Sequence, residues 1–138
     1  MLFKGLEISL TGMSAQRVRT DIASSNLANS NSIDPQTGEP YRRKVPVFES
    51  VLVKEGEREA PLSEVRVKEI TYDDSPFRKK YDPGNPLADK EGYVPLPNVD
   101  PLKEMVDMIS AMRTYEANLT AFNTHKNMLT SSLEILRV

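Results

Sequence analysis

The hydrophobic residues of the first thirty positions repeat at helical spacing. Residues 3–29 contain no proline, and at about 100° per residue their apolar positions form two stripes on nearly opposite sides of a helix. The first stripe consists of Ile8, Ala15, Val18 and Ile22, and the second of Leu6, Leu10, Met13 and Leu27. A helix with two apolar stripes is covered from both directions. We therefore expect the second stripe to contact another subunit.

The last third of the chain carries the strongest pattern. Ten positions alternate three and four residues apart and nine of them are apolar, which is the heptad repeat of a coiled coil. These positions are Met105, Met108, Met112, Tyr115, Leu119, Phe122, Lys126, Leu129, Leu133 and Leu136. Asp100 as the cap and Pro101 at the first helical position predict where this helix begins.

The length of the second helix determines the expected shape. A helix over residues 101–137 would be about 55 Å long, which exceeds the diameter of a compact domain of this size. The sequence thus predicts an elongated, mainly α molecule whose N-terminal and C-terminal helices form an antiparallel coiled coil. We interpret residues 1–30 and 99–138 as this helical domain, and both stripes of the first helix and the heptad positions as its intrachain and intersubunit interfaces. The isolated chain should be poorly ordered at its ends until assembly covers these surfaces.

The pattern in the middle of the chain predicts a small β insertion. Residues 30–40 hold Asp-Pro, Thr-Gly and Glu-Pro turn pairs. Residues 41–53 and 64–73 predict two strands of a short hairpin, joined by a charged connection over 55–63. Six of the ten prolines lie within 74–101, which predicts an extended loop there. Residues 31–98 would form this hairpin and loop region.

The segment SSNLANSNS (residues 24–32) places small amides and hydroxyls where the apolar pattern of the first helix ends. Asn26 and Asn29 continue the side that carries Ile22 and Ala15. An amide at an apolar seam specifies register and partner number at a cost in stability. Asn is also frequent where a helix stops, because it tolerates the left-handed conformation. The sequence leaves both interpretations open: a seam role for Asn26, and a helix stop at residues 29–31.

Charge and composition narrow the classes of partner. The 138 residues carry a net charge of −2, 38% hydrophobic residues and no cysteine. Neither nucleic acid nor an anionic membrane is favoured by this balance, and disulfides are excluded. No apolar run of about eighteen residues predicts a membrane span, and no cleavable leader is recognisable. Twenty-one of the thirty-eight charges fall within residues 41–90, so we expect the ends to contact protein and the middle to contact water.

Candidate catalytic chemistry is sparse. His125 is the single histidine, which excludes a two-histidine metal site, and we expect it at a surface or an interface. No G-x-S-x-G elbow and no glycine-rich phosphate loop occur. The basic triplets at 42–44 and 78–80 each have acidic neighbours, and we interpret them as solvated strand ends rather than phosphate contacts. We therefore predict neither an enzyme, nor a cofactor, nor a metal.

At two places the sequence resembles a known family. Asn26, Leu27, Ala28 and Asn29 at the end of the first helix are similar to the Asn-Leu-Ala-Asn signature shared by the rod and hook proteins of the bacterial flagellum. The segment YRRKVPVFE (41–49) follows at the expected distance. Residues 81–128 resemble the proximal-rod members of that family, through YDPGNPLADKEGYVPLPNV and the TYEAN segment. Asn85 and Leu87 depart from the family pattern, which has His and Asp at those positions.

The resemblance implies a structural function. A rod subunit of this family leaves the cytoplasm unfolded through the flagellar type III export apparatus, without a cleaved signal. It then assembles helically in the periplasmic part of the basal body, with copies of itself and other rod proteins. The terminal helices of such proteins pack against neighbouring subunits around the export channel. The alternative function is an adaptor or secretion-chaperone-like module that presents the 105–136 seam to one partner helix.

Overall fold

A computed structural model describes residues 2–55 and 58–137. The elements in chain order are α1 (Leu2–Ala28), β1 (Lys44–Glu55), β2 (Arg58–Tyr72), β3 (Arg78–Tyr81), β4 (Tyr93–Leu96) and α2 (Pro101–Ile135). Strand β1 pairs antiparallel with β2, and β3 pairs antiparallel with β4. The two helices at the ends of the chain thus enclose a β insertion, and the expectation of a mainly α fold with such an insertion is confirmed.

Helix α1 ends where the small polar residues begin. Residues 29–31 form a turn, as the predicted helix stop requires. The Asn29 side chain and main-chain N–H both donate to the Ser25 carbonyl, at 2.9 and 3.1 Å. The prediction that a residue in the left-handed conformation ends this helix is wrong, because no described non-glycine residue has a positive φ. Backbone hydrogen bonds and the asparagine amide end the helix instead.

Helix α2 begins as the sequence predicts. The Asp100 carboxylate accepts hydrogen bonds from the N–H groups of Leu102 and Lys103, at 3.0 and 3.5 Å. Pro101 occupies the first turn, where its missing N–H costs nothing. The cap satisfies two of the donors that every helix start leaves free, and the helix runs from there to Ile135.

The two helices lie antiparallel and meet at intervals of seven residues. A Cβ atom built on Gly12 would lie 2.7 Å from the Asn118 Oδ1, and one built on Gly5 would lie 2.8 Å from the His125 Cε1. A side chain at either position would have to displace Asn118 or His125, so glycine lets the backbone of α1 approach α2 without that displacement. Contacting pairs along the helices are Gly5 with His125, Gly12 with Asn118, Arg19 with Asp107, and Asn26 with Glu104.

The face that α2 turns towards α1 differs from the predicted heptad seam. Glu104 and Ala111 are buried there, and Asn118 and His125 are half-buried. The predicted positions one residue later are exposed, namely Met105, Met112, Leu119, Lys126 and Leu133. Of the remaining heptad positions, Met108, Phe122 and Leu129 are half-buried, whereas Tyr115 and Leu136 are exposed. Half of the expected seam thus lies on the flank of the helix pair, because small and polar residues occupy the contact.

The β insertion is more extensive than the sequence suggests. The two predicted hairpin strands form, but β2 already begins at Arg58. The expected charged connection over 55–63 is therefore largely strand, with residues 56 and 57 outside the described part of the chain. The expected loop over 74–101 is also partly wrong, since β3 and β4 form a second sheet in it. The proline in β4 is tolerated because both strands of a two-stranded sheet are edge strands. Across this sheet the rings of Tyr81 and Tyr93 pack edge to face, with their centroids 5.3 Å apart.

The first hairpin packs along a second side of α1. The Val65 N–H donates to the Thr11 hydroxyl at 3.4 Å. A cleft between helix and hairpin is lined by Val18, Asp21, Ile22, Ser25, Lys44, Ile70 and Tyr72. Positions 11, 18 and 25 of α1 are seven residues apart and form one stripe, so the hairpin covers a side of α1 that α2 leaves open.

The core of the chain is small. The buried hydrophobic residues among those described are Met13, Ala15, Ile22, Ala23, Val53, Val94, Val99 and Ala111. Among the same described residues, twenty-one large hydrophobic side chains are exposed, and ten of them lie on α2. A chain that leaves so many large apolar side chains in water has surface to bury against something else.

The close contact at Gly12 leads to a prediction. Replacing Gly12 by Leu inserts a side chain where Asn118 already lies, so we expect a loss of about 1–3 kcal/mol in the free energy of unfolding, the usual cost of overpacking. Ser14→Leu adds the same side chain at an exposed position of the same helix and should change stability little. Urea unfolding followed by circular dichroism measures both. Equal stability of the two variants would show that the helices do not touch at Gly12.

Candidate functional site in the helix pair

An apolar groove runs along a third side of α1, where Asp21 separates it from the cleft beside the hairpin. We define the groove by its lining residues, Arg17, Thr20 and Asp21 from α1 and Met112, Tyr115, Glu116 and Leu119 from α2. The apolar floor comes from α2, where three of the predicted heptad positions line it. Charged residues of both signs form its rim. A concave apolar surface with a charged rim between two helices is a typical docking site for a helix of another chain.

The predicted interface residues separate into three groups. The exposed ones are Leu10, Met105, Met112, Tyr115, Leu119, Lys126, Leu133 and Leu136. The half-buried ones are Leu6, Ile8, Val18, Leu27, Met108, Phe122 and Leu129. Met13, Ala15 and Ile22 are buried within the chain. The expectation that Met13 contacts another subunit is therefore corrected, since its own chain already covers this side chain.

A polar cluster with a buried centre holds the end of α1 against the start of α2. We define the polar cluster as Asn26, Tyr41, Arg43, Asp73, Asn98 and Glu104. At its centre the Asn26 amide, which is fully buried, accepts from the Lys44 N–H at 2.9 Å and the Tyr41 hydroxyl at 3.0 Å. The same amide donates to the Lys44 carbonyl at 2.8 Å and to the Glu104 carboxylate at 3.3 Å.

These four bonds decide between the two interpretations of Asn26. An asparagine amide has two donor and two acceptor positions, and here all four are used within the chain. The hypothesis that Asn26 contacts another subunit at a seam is therefore corrected, because the buried amide has no free hydrogen-bond donor or acceptor. Of the other motif residues, Leu27 and Asn29 are half-buried and Ala28 is exposed.

The Glu104 carboxylate is almost completely buried and is paired with Arg43. The Arg43 guanidinium contacts the Glu104 carboxylate through Nε and the Asp73 carboxylate through Nη1, the latter at 3.3 Å. Burial lowers the pKa of Arg43, but hydrogen bonds and charge from Glu104 and Asp73 outweigh it and raise that pKa. A buried carboxylate without such a partner would be costly. The ion pair thus explains why a charge is tolerated between the two helices.

Two further side chains connect the cluster to the β insertion. The Arg43 N–H donates to the Asn98 Oδ1 at 2.8 Å, and the Asn98 amide donates to the Asp73 carbonyl at 3.0 Å. The Ser75 hydroxyl and N–H bind the Asp73 carboxylate and, together with Arg43, hold its pKa below the ordinary value. The cluster therefore joins α1, the start of β1, the end of β2 and α2 in one network.

Sequence reasoning missed this cluster. The basic triplet at 42–44 was expected to be a solvated strand end, but Arg42 lies 4.4 Å from the Phe77 ring centroid and Arg43 is in the cluster. The second triplet is corrected in part, since Arg78 donates to the carbonyls of Pro97 and Ser30, both at 2.9 Å. The available signal was a lone carboxylate, Glu104, in the first turns of α2 on the side that continues to Ala111.

The described residues offer little for metal or membrane chemistry. No group of three or more His, Cys, Asp or Glu among them could hold a metal ion. Within the same part of the chain, neither helix has a stretch that is apolar and long enough to cross a bilayer. His125 packs against Gly5 with a buried Nδ1 that has no hydrogen-bond partner, so it belongs to the contact between the helices.

Comparisons with known proteins agree with this geometry. Residues 6–32, which cover most of α1, match the family described as "Flagella basal body rod protein". Residues 90–135, which cover nearly all of α2, match "Flagellar basal body rod FlgEFG protein C-terminal". An antiparallel pair of terminal helices with these two matches places the chain in the class of flagellar basal-body rod proteins.

Full-length relatives narrow the class. The chain is 47% identical to the flagellar basal-body rod protein FlgC of Bacillus subtilis (strain 168), over 96% of this chain and 97% of the relative. It is 46% identical to FlgC of Aquifex aeolicus (strain VF5), over 96% of both. Identity to FlgC of Salmonella typhimurium (strain LT2) is 40%, over 94% of this chain and 93% of that protein. The chain belongs to the FlgC family, as the motif residues indicated.

The saturated amide of Asn26 leads to a prediction. Asn26→Leu leaves the Lys44 N–H and carbonyl and the Tyr41 hydroxyl without a partner in a buried site, so we expect a loss of about 3 kcal/mol or more. Asn29→Leu removes one bond at a half-buried helix end and should cost less than about 1 kcal/mol. Chemical unfolding of both variants measures the difference. Similar losses would mean that the cluster does not hold the helices together.

The lowered pKa of Asp73 predicts a pH dependence. Because folding lowers this pKa, the ionised carboxylate stabilises the fold above the ordinary value of 3.8, and this contribution disappears as the pH falls through the lowered pKa. Asp73→Asn should therefore be less stable than the unmodified chain at neutral pH, with the deficit shrinking in acid. Its exposed neighbour provides the control variant, Asp74→Asn. Thermal unfolding across pH measures both, and a deficit independent of pH would contradict the assignment.

Proposed function

We propose that this chain is a structural subunit of the flagellar basal-body rod that is exported by the flagellar type III apparatus and assembles helically through its terminal helices. Membership of the FlgC family supports the rod and the basal body as its place. The groove is the observation that carries the assembly step. Its apolar floor is exposed in the single chain and has the spacing by which helices recognise one another.

The ends of the helices support the same proposal. Because Gly5 lies opposite His125, α1 begins near residue 128 of its partner helix, and the last turns of α2 extend beyond it. Leu133, Ile135 and Leu136 in this overhang are 62%, 75% and 80% exposed. Apolar side chains at the free end of a helix are covered when a second chain packs against them. We infer that neighbouring rod subunits cover them through coiled-coil contacts.

The same surfaces suggest which parts of the chain pack inside the rod and which lie outside. We propose that residues 1–30 and 99–138 form the inner domain that packs in the rod, and that residues 31–98 form a smaller outer region. The polar cluster joins the two regions, so the β insertion would also set the angle between the helices. An adaptor that binds one partner helix through α2 would not need exposed Phe3 and Leu10 on α1, which are 71% and 56% exposed.

The groove provides a direct experiment. Leu119→Asp places a charge on its apolar floor, where a packed neighbour would have to bury it unpaired. We expect the variant to be exported but to be absent from purified basal bodies, and the cells to lose motility. Thr124→Asp adds the same charge at an exposed position on a side of α2 that does not line the groove, and it should assemble normally.

Two measurements separate export from assembly. Immunoblots of periplasmic fractions report export, and immunoblots of isolated basal bodies report incorporation. Normal motility of the Leu119→Asp strain, with the variant present in its basal bodies, would contradict assembly through the groove.

A further inference from the structure

A second apolar surface lies on α2, outside the close contact with α1. We call it the outer patch and define it by Leu102, Val106 and Ile109, which are 70%, 60% and 55% exposed. These residues are spaced i, i+4 and i+7, so they form one stripe on the first turns of the helix. None of them belongs to the predicted heptad seam, and none lines the groove. The outer patch is thus an independent surface that the chain leaves without cover.

The outer patch and the groove differ in the charges around them. Lys103 lies beside Leu102 and Val106 in a shallow cleft, whose other two charged residues, Arg19 and Asp107, pair with each other. Arg113 follows Ile109 by one turn on the same side. Lys103 and Arg113 are exposed and basic. The groove carries the carboxylates of Asp21 and Glu116 on its rim, together with Arg17. A basic rim around one apolar stripe therefore complements a net acidic rim around the other.

We propose that the outer patch of one copy of this chain packs into the groove of the next copy. The occupant of the groove is then an exposed helical stripe with i, i+4, i+7 anchors, which is the usual form of a helix that lies in an apolar groove. Lys103 and Arg113 come to lie near Asp21 and Glu116 of the neighbour. The proposal rests on the proposed function, and it names the surface that fills the groove and the kind of partner that supplies it.

The contact has a consequence for the kind of assembly. The outer patch and the groove are different surfaces of one chain, so the interface is head to tail rather than two-fold symmetric. Each copy that joins offers a free outer patch or a free groove, and association continues in one direction. Such an interface produces a ring or a helix according to the rotation between copies. A symmetric dimer is not an expected product.

Charge reversal on both sides tests the pairing. The basic rim is reversed by Lys103→Glu with Arg113→Glu, and the acidic rim by Asp21→Lys with Glu116→Lys. All four positions are exposed, so the fold should persist, and circular dichroism checks this. Sedimentation of the purified full-length chain at increasing concentration and low salt measures self-association. We expect each double variant to lose self-association and a chain carrying all four changes to recover it.

The apolar part is tested separately. Val106→Asp should weaken self-association at least about tenfold, because the charge would be buried in the contact. Thr120→Asp adds the same charge on the same side of α2 beyond the patch and should leave self-association unchanged. Unaltered self-association of the Val106→Asp and double variants, or no recovery with all four changes, would overturn the proposal. If Leu119→Asp still abolished incorporation in that case, the proposed function would stand and another rod protein would occupy the groove.

Discussion

The structure depends on one buried hydrogen-bonded unit, the Asn26 amide with the Glu104 carboxylate and the Arg43 guanidinium. A buried amide or carboxylate is tolerated only when its partners are present, and here the partners come from α1, from the segment that leads into β1, and from α2. The end of α1, the start of β1 and the start of α2 must therefore meet in one arrangement. Because such a network is satisfied in only one alignment, it specifies the register of two helices whose apolar contact is thin.

Two glycines, together with the polar cluster, determine how closely α1 and α2 pack. Gly5 and Gly12 let α1 approach α2 at the places where His125 and Asn118 lie, so the helices pack through small and polar residues. Their large apolar side chains then remain on the flank and on the outer side of α2. A chain organised in this way has little hydrophobic core of its own, and it leaves the groove and the outer patch exposed.

Local patterns predicted the elements well and their contacts poorly. The Asp100 cap, Pro101 and the uninterrupted apolar period placed α2 almost to the residue, and the small polar residues placed the end of α1. Leu119 and Met112 were expected in the contact between helices and lie on the groove instead. A shift of one residue around a helix turns a side chain by about 100°, and apolar spacing alone does not resolve it when the true contact includes Glu104 and Asn118.

The sequence by itself determined the two helices, the hairpin and the family, because capping, periodicity and the Asn-Leu-Ala-Asn segment are local features. Tertiary structure alone decided the partners of Asn26, the role of Arg43 and which apolar stripe remains exposed. The physical reason is that a hydrogen bond between residues 26 and 104 depends on where two distant elements meet. Local propensity does not specify which distant elements come into contact. That contact is selected by burial and by the need to give each buried polar group a hydrogen-bond partner.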